Sequence, residues 1–461
     1  MPINDSFQYL NVGLPEDIQR RKLHGDFEGA LRLIELRLKN QIPEPLRQCL
    51  IVERELIRRI EDDYPYSLAE AMEIIRQDIP DFTETEFRTL VDEFKIDWIY
   101  VRGEERYFNR FYQTLLKVNA EFAARANVKR GHVDGEDESE EKEEGMLDRV
   151  VRIMKEKGSF GCRLRIRATV KIKDEAFEAG KTVRVHIPLA ADARQQRNIV
   201  IHKTFPEASF IAPADAAQRT VYFEEVMQQN HEFFVEYSYD NIVTYVDPDP
   251  AKVEKEQPSF FTQEQNPHIV FTPYLRALAV DLSKHTDNPL EKARAFYDFV
   301  TLNVKYSYMR EYFALESIAE NCARNFRGDC GVQALLFIAL CRCAGIPAKW
   351  QSGLNSSPES IGAHDWAEFY VAPYGWMFAD PSFGGGAHRV GAEHRRRFYF
   401  GNLDPYRMVA NREFQAAFTP DKNHWRCDPY DNQTGEIEYL DRGLLYHEYT
   451  RKQELLECVE L

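Results

Sequence analysis

Residues 328–350 read GDCGVQALLFIALCRCAGIPAKW, and the fold of the C-terminal half follows from this stretch. Ala334, Leu335, Ile338, Ala339 and Leu340 recur at helical spacing, and Gly345 and Pro347 end the run. A short strand, Ala348-Lys349-Trp350-Gln351, is expected next. Gly328-Asp329-Cys330-Gly331 therefore puts a cysteine at the first turn of an apolar helix. The N-terminus of a helix carries roughly half a positive charge and unpaired N–H groups. Both favour a thiolate, so Cys330 is expected to have a lowered pKa if a histidine also assists. The same amides can hold an oxyanion, and the flanking glycines let a substrate backbone approach. A buried core cysteine is the commoner use of the residue. It is the reading for Cys49, Cys162, Cys322, Cys341, Cys343, Cys427 and Cys458. Cys341 and Cys343 lie about 200° apart around the helix and cannot share one metal.

A thiol nucleophile needs a base. Downstream, Ala363-His364-Asp365-Trp366-Ala367-Glu368 heads a strand, Pro373-Tyr374-Gly375 turns the chain, and Trp376 to Asp380 runs back. His364 and Asp380 thus fall at the same end of one hairpin on neighbouring strands, where a carboxylate can fix an imidazole tautomer. The turn alone leaves the register open by a few residues, and a bulge is one way to bring both onto one face. Cysteine, histidine and aspartate in this order, on helix, strand and strand, form a candidate nucleophile, base and orienting acid.

These three motifs, GDCGVQALLFIALCRCAGIPAKW, AHDWAEFYV and GWMFADPSFG, resemble the transglutaminase-like superfamily over roughly Pro267 to Asp380. The resemblance implies a papain-like α+β fold, a helix carrying the nucleophile against an antiparallel sheet. It also implies that the family's catalytic cysteine, histidine and aspartate fall on Cys330, His364 and Asp380. About eighty residues follow the motifs, too few for the two barrels of animal cross-linking enzymes, and the C-x-x-C pairs of the peptide-N-glycanase branch are absent. What remains is similar to the microbial branch. Its members imply cysteine-dependent hydrolysis of amide or peptide bonds through a thioester. Transamidation of protein glutamine is the alternative, and a non-catalytic interaction scaffold is a further one. A second oxyanion donor is not fixed by motif. Tyr306 and Tyr308 are candidates, with buried aromatics as the plainer reading. Gly384-Gly385-Gly386 reads as a loop that could serve as a flap. His388 and His394, beside Arg395, Arg396 and Arg397, read as a solvated basic turn, and Arg395 to Leu403 as a closing strand.

Outward from this core, the chain reads as an α+β multidomain protein. Residues 1–130 form a helical domain: Leu31, Ile34 and Leu38, then Leu50, Ile51, Leu56, Ile57 and Ile60, keep helical spacing around Pro43 and Pro45. Thr83 and Glu86 offer a capping box. Phe94, Trp98, Tyr100, Tyr107, Phe108 and Phe111 are expected as buried helix contacts. Residues 131–157 are an acidic linker and lead-in, with eight acids and one lysine from Asp134 to Glu144 (−8 + 1 = −7). From 158 to 250 the period becomes two. Leu164, Ile166, Ala168, Val170 and Ile172 alternate with Arg163, Arg165, Arg167, Thr169 and Lys171, and Val183–Ile187 and Phe233–Tyr239 repeat the pattern. An antiparallel β-sandwich is predicted. Residues 251–265 are a charged, proline-rich connector, and 266–461 are the transglutaminase-like domain with a C-terminal extension.

The 461 residues exceed a single core of about 100–200 residues. A net charge of −16 disfavours phosphate backbones, so no nucleic-acid partner is expected. No apolar run reaches membrane-spanning length, and no basic n-region opens the chain, so no membrane partner and a cytoplasmic setting with reduced thiols are expected. No Walker loop, dinucleotide fingerprint or HExxH occurs. No cofactor and no metal are expected, and the partner is a protein or peptide substrate. Nothing in the sequence sets the oligomeric state.

Overall fold

A computed structural model describes residues 3–126 and 144–461. The acidic run from Asp134 lies outside the described residues, save its last residue, Glu144. The architecture is mixed α+β. In the first part, helices Glu16–Leu23, Phe27–Leu38, Glu44–Asp63, Leu68–Asp78 and Glu84–Asp92 pack their apolar faces together. Pro43 caps the long Glu44–Asp63 helix, which buries Leu50, Leu56, Ile57 and Ile60. The capping box expected at Thr83 and Glu86 is present, with a second one at Ser67 and Glu70. The aromatic segment departs from expectation. Trp98–Val101 and Glu104–Tyr107 form a β-hairpin, because Arg102 and Gly103 adopt left-handed turn conformations. Tyr107 is buried there, while Tyr100 is exposed. Helices Phe111–Val118 and Ala120–Arg125 follow.

The period-two segment forms two four-stranded antiparallel sheets. One runs Tyr449–Glu460, Ser159–Ile172, Phe233–Thr244, Gln196–Phe205; the other runs Glu436–Tyr439, Thr182–Pro188, Thr220–Val226, Phe210–Ile211. Leu164, Ile166, Ala168, Val170 and Ile172 are buried, and the outward arginines pair across the sheet: Arg163 with Asp240, Arg165 with Glu236, Arg167 with Glu232. The chain after 411, expected to extend the C-terminal domain, returns here instead. Tyr449–Glu460 covers the free edge of Ser159–Ile172 from Ile172 to Cys162, and Glu436–Tyr439 pairs with Val183–His186. An open edge of a sandwich is a liability, and these strands close two of them.

The C-terminal sheet is antiparallel throughout, in the order Phe400–Gly401, Gly375–Ala379, Ile361–Val371, Ala348–Ser356, Arg407–Asn411. Helix Cys330–Cys343 lies on one face. Its Phe337 meets Phe369 edge-on at 5.7 Å, so Asp365, Ala367, Phe369 and Val371 face the helix. His364, Trp366 and Glu368 face the other way, toward the loop where Arg194 pairs with Glu368 at 2.7 Å. Gly353 sits opposite His364, beside a register shift, where a Cβ would run into the Met408 carbonyl. Two expectations near this sheet are corrected. Gly384-Gly385-Gly386 lies inside helix Pro381–Arg389, which starts because Pro381 follows an Asp380 cap. Arg395 to Leu403 is mostly helix Glu393–Phe398 plus a two-residue strand.

Candidate active site

Cys330 is the first residue of its helix. Asp329 caps it, its Oδ1 accepting from Val332 N at 3.1 Å. The Tyr312 hydroxyl donates to the same carboxylate. Cys330 is partly exposed, in contrast to the buried Cys49, Cys162, Cys322, Cys341 and Cys427. Its Sγ donates to Asp365 Oδ2 at 3.3 Å. Gln433 Nε2 fixes the other oxygen of Asp365 at 2.6 Å and also meets the His364 carbonyl at 3.1 Å.

His364 and Asp380 do come together, and the register explains how. Ala367 pairs with Ala379, so Asp380 follows on opposite Trp366, and His364 is its diagonal neighbour on the same face. No bulge is needed. His364 Nε2 lies 2.8 Å from Asp380 Oδ2. With a carboxylate on Nε2, that nitrogen carries the proton and Nδ1 is left basic. Asp380 Oδ1 accepts from Phe383 N at 2.9 Å, and Arg407 Nη2 sits 3.1 Å from Oδ2. Arg407 also reaches Asp404 at 2.6 Å and is wholly buried. The imidazole stacks on Trp366 at 5.9 Å and meets a tilted Phe383 ring at 4.8 Å.

Among the described residues no hydrogen bond joins the Cys330 thiol to His364. Strand alternation is the reason: His364 and Asp365 are consecutive and point to opposite faces, and the helix lies over the Asp365 face. The expected lowering of the thiol pKa is also reversed. Burial of the sulfur, then Asp365 and Asp329, push Cys330 well above the usual thiol range, though a backbone hydrogen bond from Asp365 pulls the other way. Burial lowers His364 despite the pull of Asp380, so the imidazole is neutral at physiological pH. Burial pushes Asp380 up, but His364 and Arg407 outweigh it and hold the carboxyl below its usual value. Burial raises Asp329 to about 6 and Asp365 well above the carboxylate range.

Of the other named residues, Tyr306 lies near Cys330 and the two histidines lie apart from it. Tyr306 is buried with its ring 5.6 Å from Tyr308, and Gly328, two residues before Cys330, pairs with it in a short parallel ladder. His388 is exposed, and His394 Nε2 meets Asp148 at 2.5 Å. Asp365, Tyr312, Gln433 and Arg407 were missed by sequence reasoning. Alternation next to His364 could have flagged Asp365, but nothing local announces the other three. Among the described residues no group of three or more His, Cys, Asp or Glu side chains is placed to hold a metal, and no helix is long and apolar enough to cross a membrane.

Comparison with known proteins agrees with this geometry in class: residues 276–381 match the transglutaminase-like superfamily, so the chain carries a transglutaminase-like domain. The particular relatives are distant. An uncharacterized Bacillus subtilis protein, YebA, is 27% identical over 129 residues, which is 24% of this chain and 17% of that protein. The chain therefore matches about a sixth of the length of that relative. A structure from Cytophaga hutchinsonii, described as a candidate cysteine protease, is 16% identical over 66% of this chain and 91% of its own, with a TM-score of 0.42. The periplasmic domain of TgpA from Pseudomonas aeruginosa is 14% identical over 54% of this chain and 96% of its own, with a TM-score of 0.28. Likenesses this low say nothing of how the present chain acts.

Proposed function

We propose that this chain is a cysteine-dependent acyl-transfer enzyme acting on amide or peptide bonds, with Cys330 as nucleophile, His364 as base and Asp380 as orienting acid. The observation that carries the reading is the buried 2.8 Å contact of His364 Nε2 with Asp380. It leaves Nδ1, which makes no hydrogen bond among the described residues, as the base beside a helix that begins at Cys330.

Attack requires a rearrangement from the resting arrangement: Cys330 Sγ leaves Asp365, the strand end carrying His364 shifts so that Nδ1 comes to the sulfur, and the thiol proton passes there. The sulfur then adds to the substrate carbonyl, and the amides of Cys330 and Gly331 receive the oxyanion, since Val332 N is taken by the Asp329 cap. Imidazolium returns the proton to the leaving amine, and a thioester remains. Water then releases the acid; an amine would instead give transamidation. Hydrolysis is the outcome we favour, by analogy with the family's breadth.

Iodoacetamide labelling followed by mass mapping tests the assignment. Although the resting thiol is raised by burial and Asp365, proton transfer to His364 during attack is expected to make Cys330 outpace the other seven thiols near pH 7, a lead lost in His364→Ala. Labelling of Cys330 no faster than of Cys343 and Cys458, the other partly exposed thiols, sinks the enzyme reading and favours a scaffold. Incorporation of a labelled amine into a glutamine-bearing protein, lost in Cys330→Ala, would move the reaction from hydrolysis to cross-linking.

A further inference from the structure

The approach to Cys330 is bordered by both the helical part and the C-terminal domain. Tyr306 lies near Cys330, paired through its backbone with Gly328, and its ring meets that of Tyr308 edge-on at 5.6 Å. Around these rings stand cations from two separate regions. The Arg110 guanidinium lies 3.4 Å above the Tyr308 ring, and Lys117 Nζ lies 3.8 Å above the Tyr306 ring and 5.3 Å from that of Tyr308. From the other side comes Arg389, the last residue of helix Pro381–Arg389, which packs against the Tyr306 strand. Burial lowers Lys117, Arg389 and Arg110 add to the lowering, and Cys330 and Asp329 pull the other way.

All three cations are exposed. Among the described residues none of them comes within 4.0 Å of a carboxylate, unlike Lys22 with Glu316 and Arg59 with Glu311. Asp329, whose charge Lys117 feels, accepts from both the Tyr312 hydroxyl and the Val332 amide on its Oδ1 and forms no ion pair with any of the three. Three cations that pair with no carboxylate among the described residues thus stand together on a protein whose net charge is −16. Cation–π contact orients Arg110 and Lys117 but leaves their N–H donors free for a ligand.

We propose that Arg110, Lys117 and Arg389 form a specificity surface selecting acidic peptides, with carboxylate side chains flanking the attacked amide. The proposal rests on the assignment of Cys330 as nucleophile for its meaning in catalysis, but the surface is testable without it. The role of the helical part follows: it supplies two of the three cations and so sets which acyl donors reach the thiol. Charge of this kind acts mainly on encounter and on wrong-partner rejection, and it is screened by salt.

Two measurements on the full chain test this. In the first, a peptide with a glutamine flanked by glutamates, carrying a neutral dye, and its lysine-flanked counterpart are titrated against Cys330→Ala and followed by anisotropy. The acidic peptide is expected to bind at least tenfold tighter at low salt. That preference should shrink to within about twofold in Arg110→Gln/Lys117→Gln/Arg389→Gln, while Lys171→Gln/Lys203→Gln, remote on the sandwich, keeps it. Equal binding of both peptides, or a preference that survives the triple change, overturns the proposal. In the second, the rate of Cys330 alkylation by iodoacetate is divided by that by iodoacetamide. The ratio should fall several-fold in the triple variant and not in the remote one; a ratio that does not move also overturns it. A thiol inert to both reagents, alongside an intact peptide preference, would refute the nucleophile and leave the surface standing.

Discussion

Arg407 Nη2 lies 3.1 Å from the same Asp380 oxygen that His364 Nε2 contacts, and both side chains are fully buried. The arginine comes from an edge strand, held by Asn241 of the sandwich, whose Nδ2 donates to the Arg407 carbonyl at 2.7 Å. Removing it would leave Asp380 and Asp404 sharing a dry site without their cation. Arg407→Met is expected to cost about 3–5 kcal/mol of stability, the usual penalty for stranding a buried charge. Urea unfolding checks this; a loss under 1 kcal/mol would mean that water already reaches the pair.

Asp365 holds the resting thiol. After burial, Asp365 is the largest influence raising Cys330; asparagine there would remove that acid and offer an N–H that a thiolate can accept. The thiol pKa should fall, the thiolate fraction at pH 7 should grow, and iodoacetamide labelling of Cys330 in Asp365→Asn should quicken several-fold. A slower rate would show that Asp365 helps to draw the proton away.

Glycine in the first turn of a helix is normally improved by alanine. At Gly331 it would not be. A Cβ there would press on the Tyr312 hydroxyl, with Asp365 Oδ2 at 2.7 Å and Trp350 Cη2 at 2.9 Å. Gly331→Ala should lower stability by about 1–3 kcal/mol through overpacking and disturb thiol labelling together with it. Thermal melting and labelling on the same sample make the comparison.

Burial raises Glu311 to about 8, against 4.5 for the free group. It sits on the seam with the helical part, its N–H donating to Asp63 Oδ2 at 3.0 Å. With the folded pKa above the unfolded one, the stability tied to the protonated form is complete below about pH 4.5. It is lost as the pH climbs toward 8. Glu311→Gln should therefore gain on the parent between pH 5 and pH 8, by roughly 2–4 kcal/mol at about 1.4 kcal/mol per pKa unit. Denaturation midpoints at the two pH values read it; a gap that does not widen with pH contradicts the assignment.

The parts of this protein legible in the sequence are those written locally. The 330–343 helix could be placed from its apolar spacing and the Gly345-Ile346-Pro347 stop, and the hairpin that joins His364 to Asp380 from the turn at Pro373 to Gly375. The sandwich strands were visible in the alternation of Leu164 to Ile172. What could not be read depends on pairing between distant segments. Arg407 reaches Asp380 only because its strand lies beside Ala348–Ser356, and Gln433 reaches Asp365 from a loop with no periodic signal. The three glycines at 384–386 read as a loop because glycine is a poor helix former. Inside the helix a Cβ at Gly384 would meet the Tyr297 ring, at 2.8 Å from Cζ, so packing overrides propensity. The thiol's resting contact with Asp365 was not readable for a reason of geometry: adjacent strand residues face opposite ways, and the helix lies on the side of Asp365.

The pairing of Tyr449–Glu460 with Ser159–Ile172 makes the sandwich discontinuous along the chain, with the transglutaminase-like part threaded between its two contributions. A fragment cut at 158–250 would leave one further edge of each of two sheets bare and would be prone to stick to its own copies. The unit that can be excised, swapped or grafted onto another scaffold is therefore the sandwich and the thiol-bearing part together.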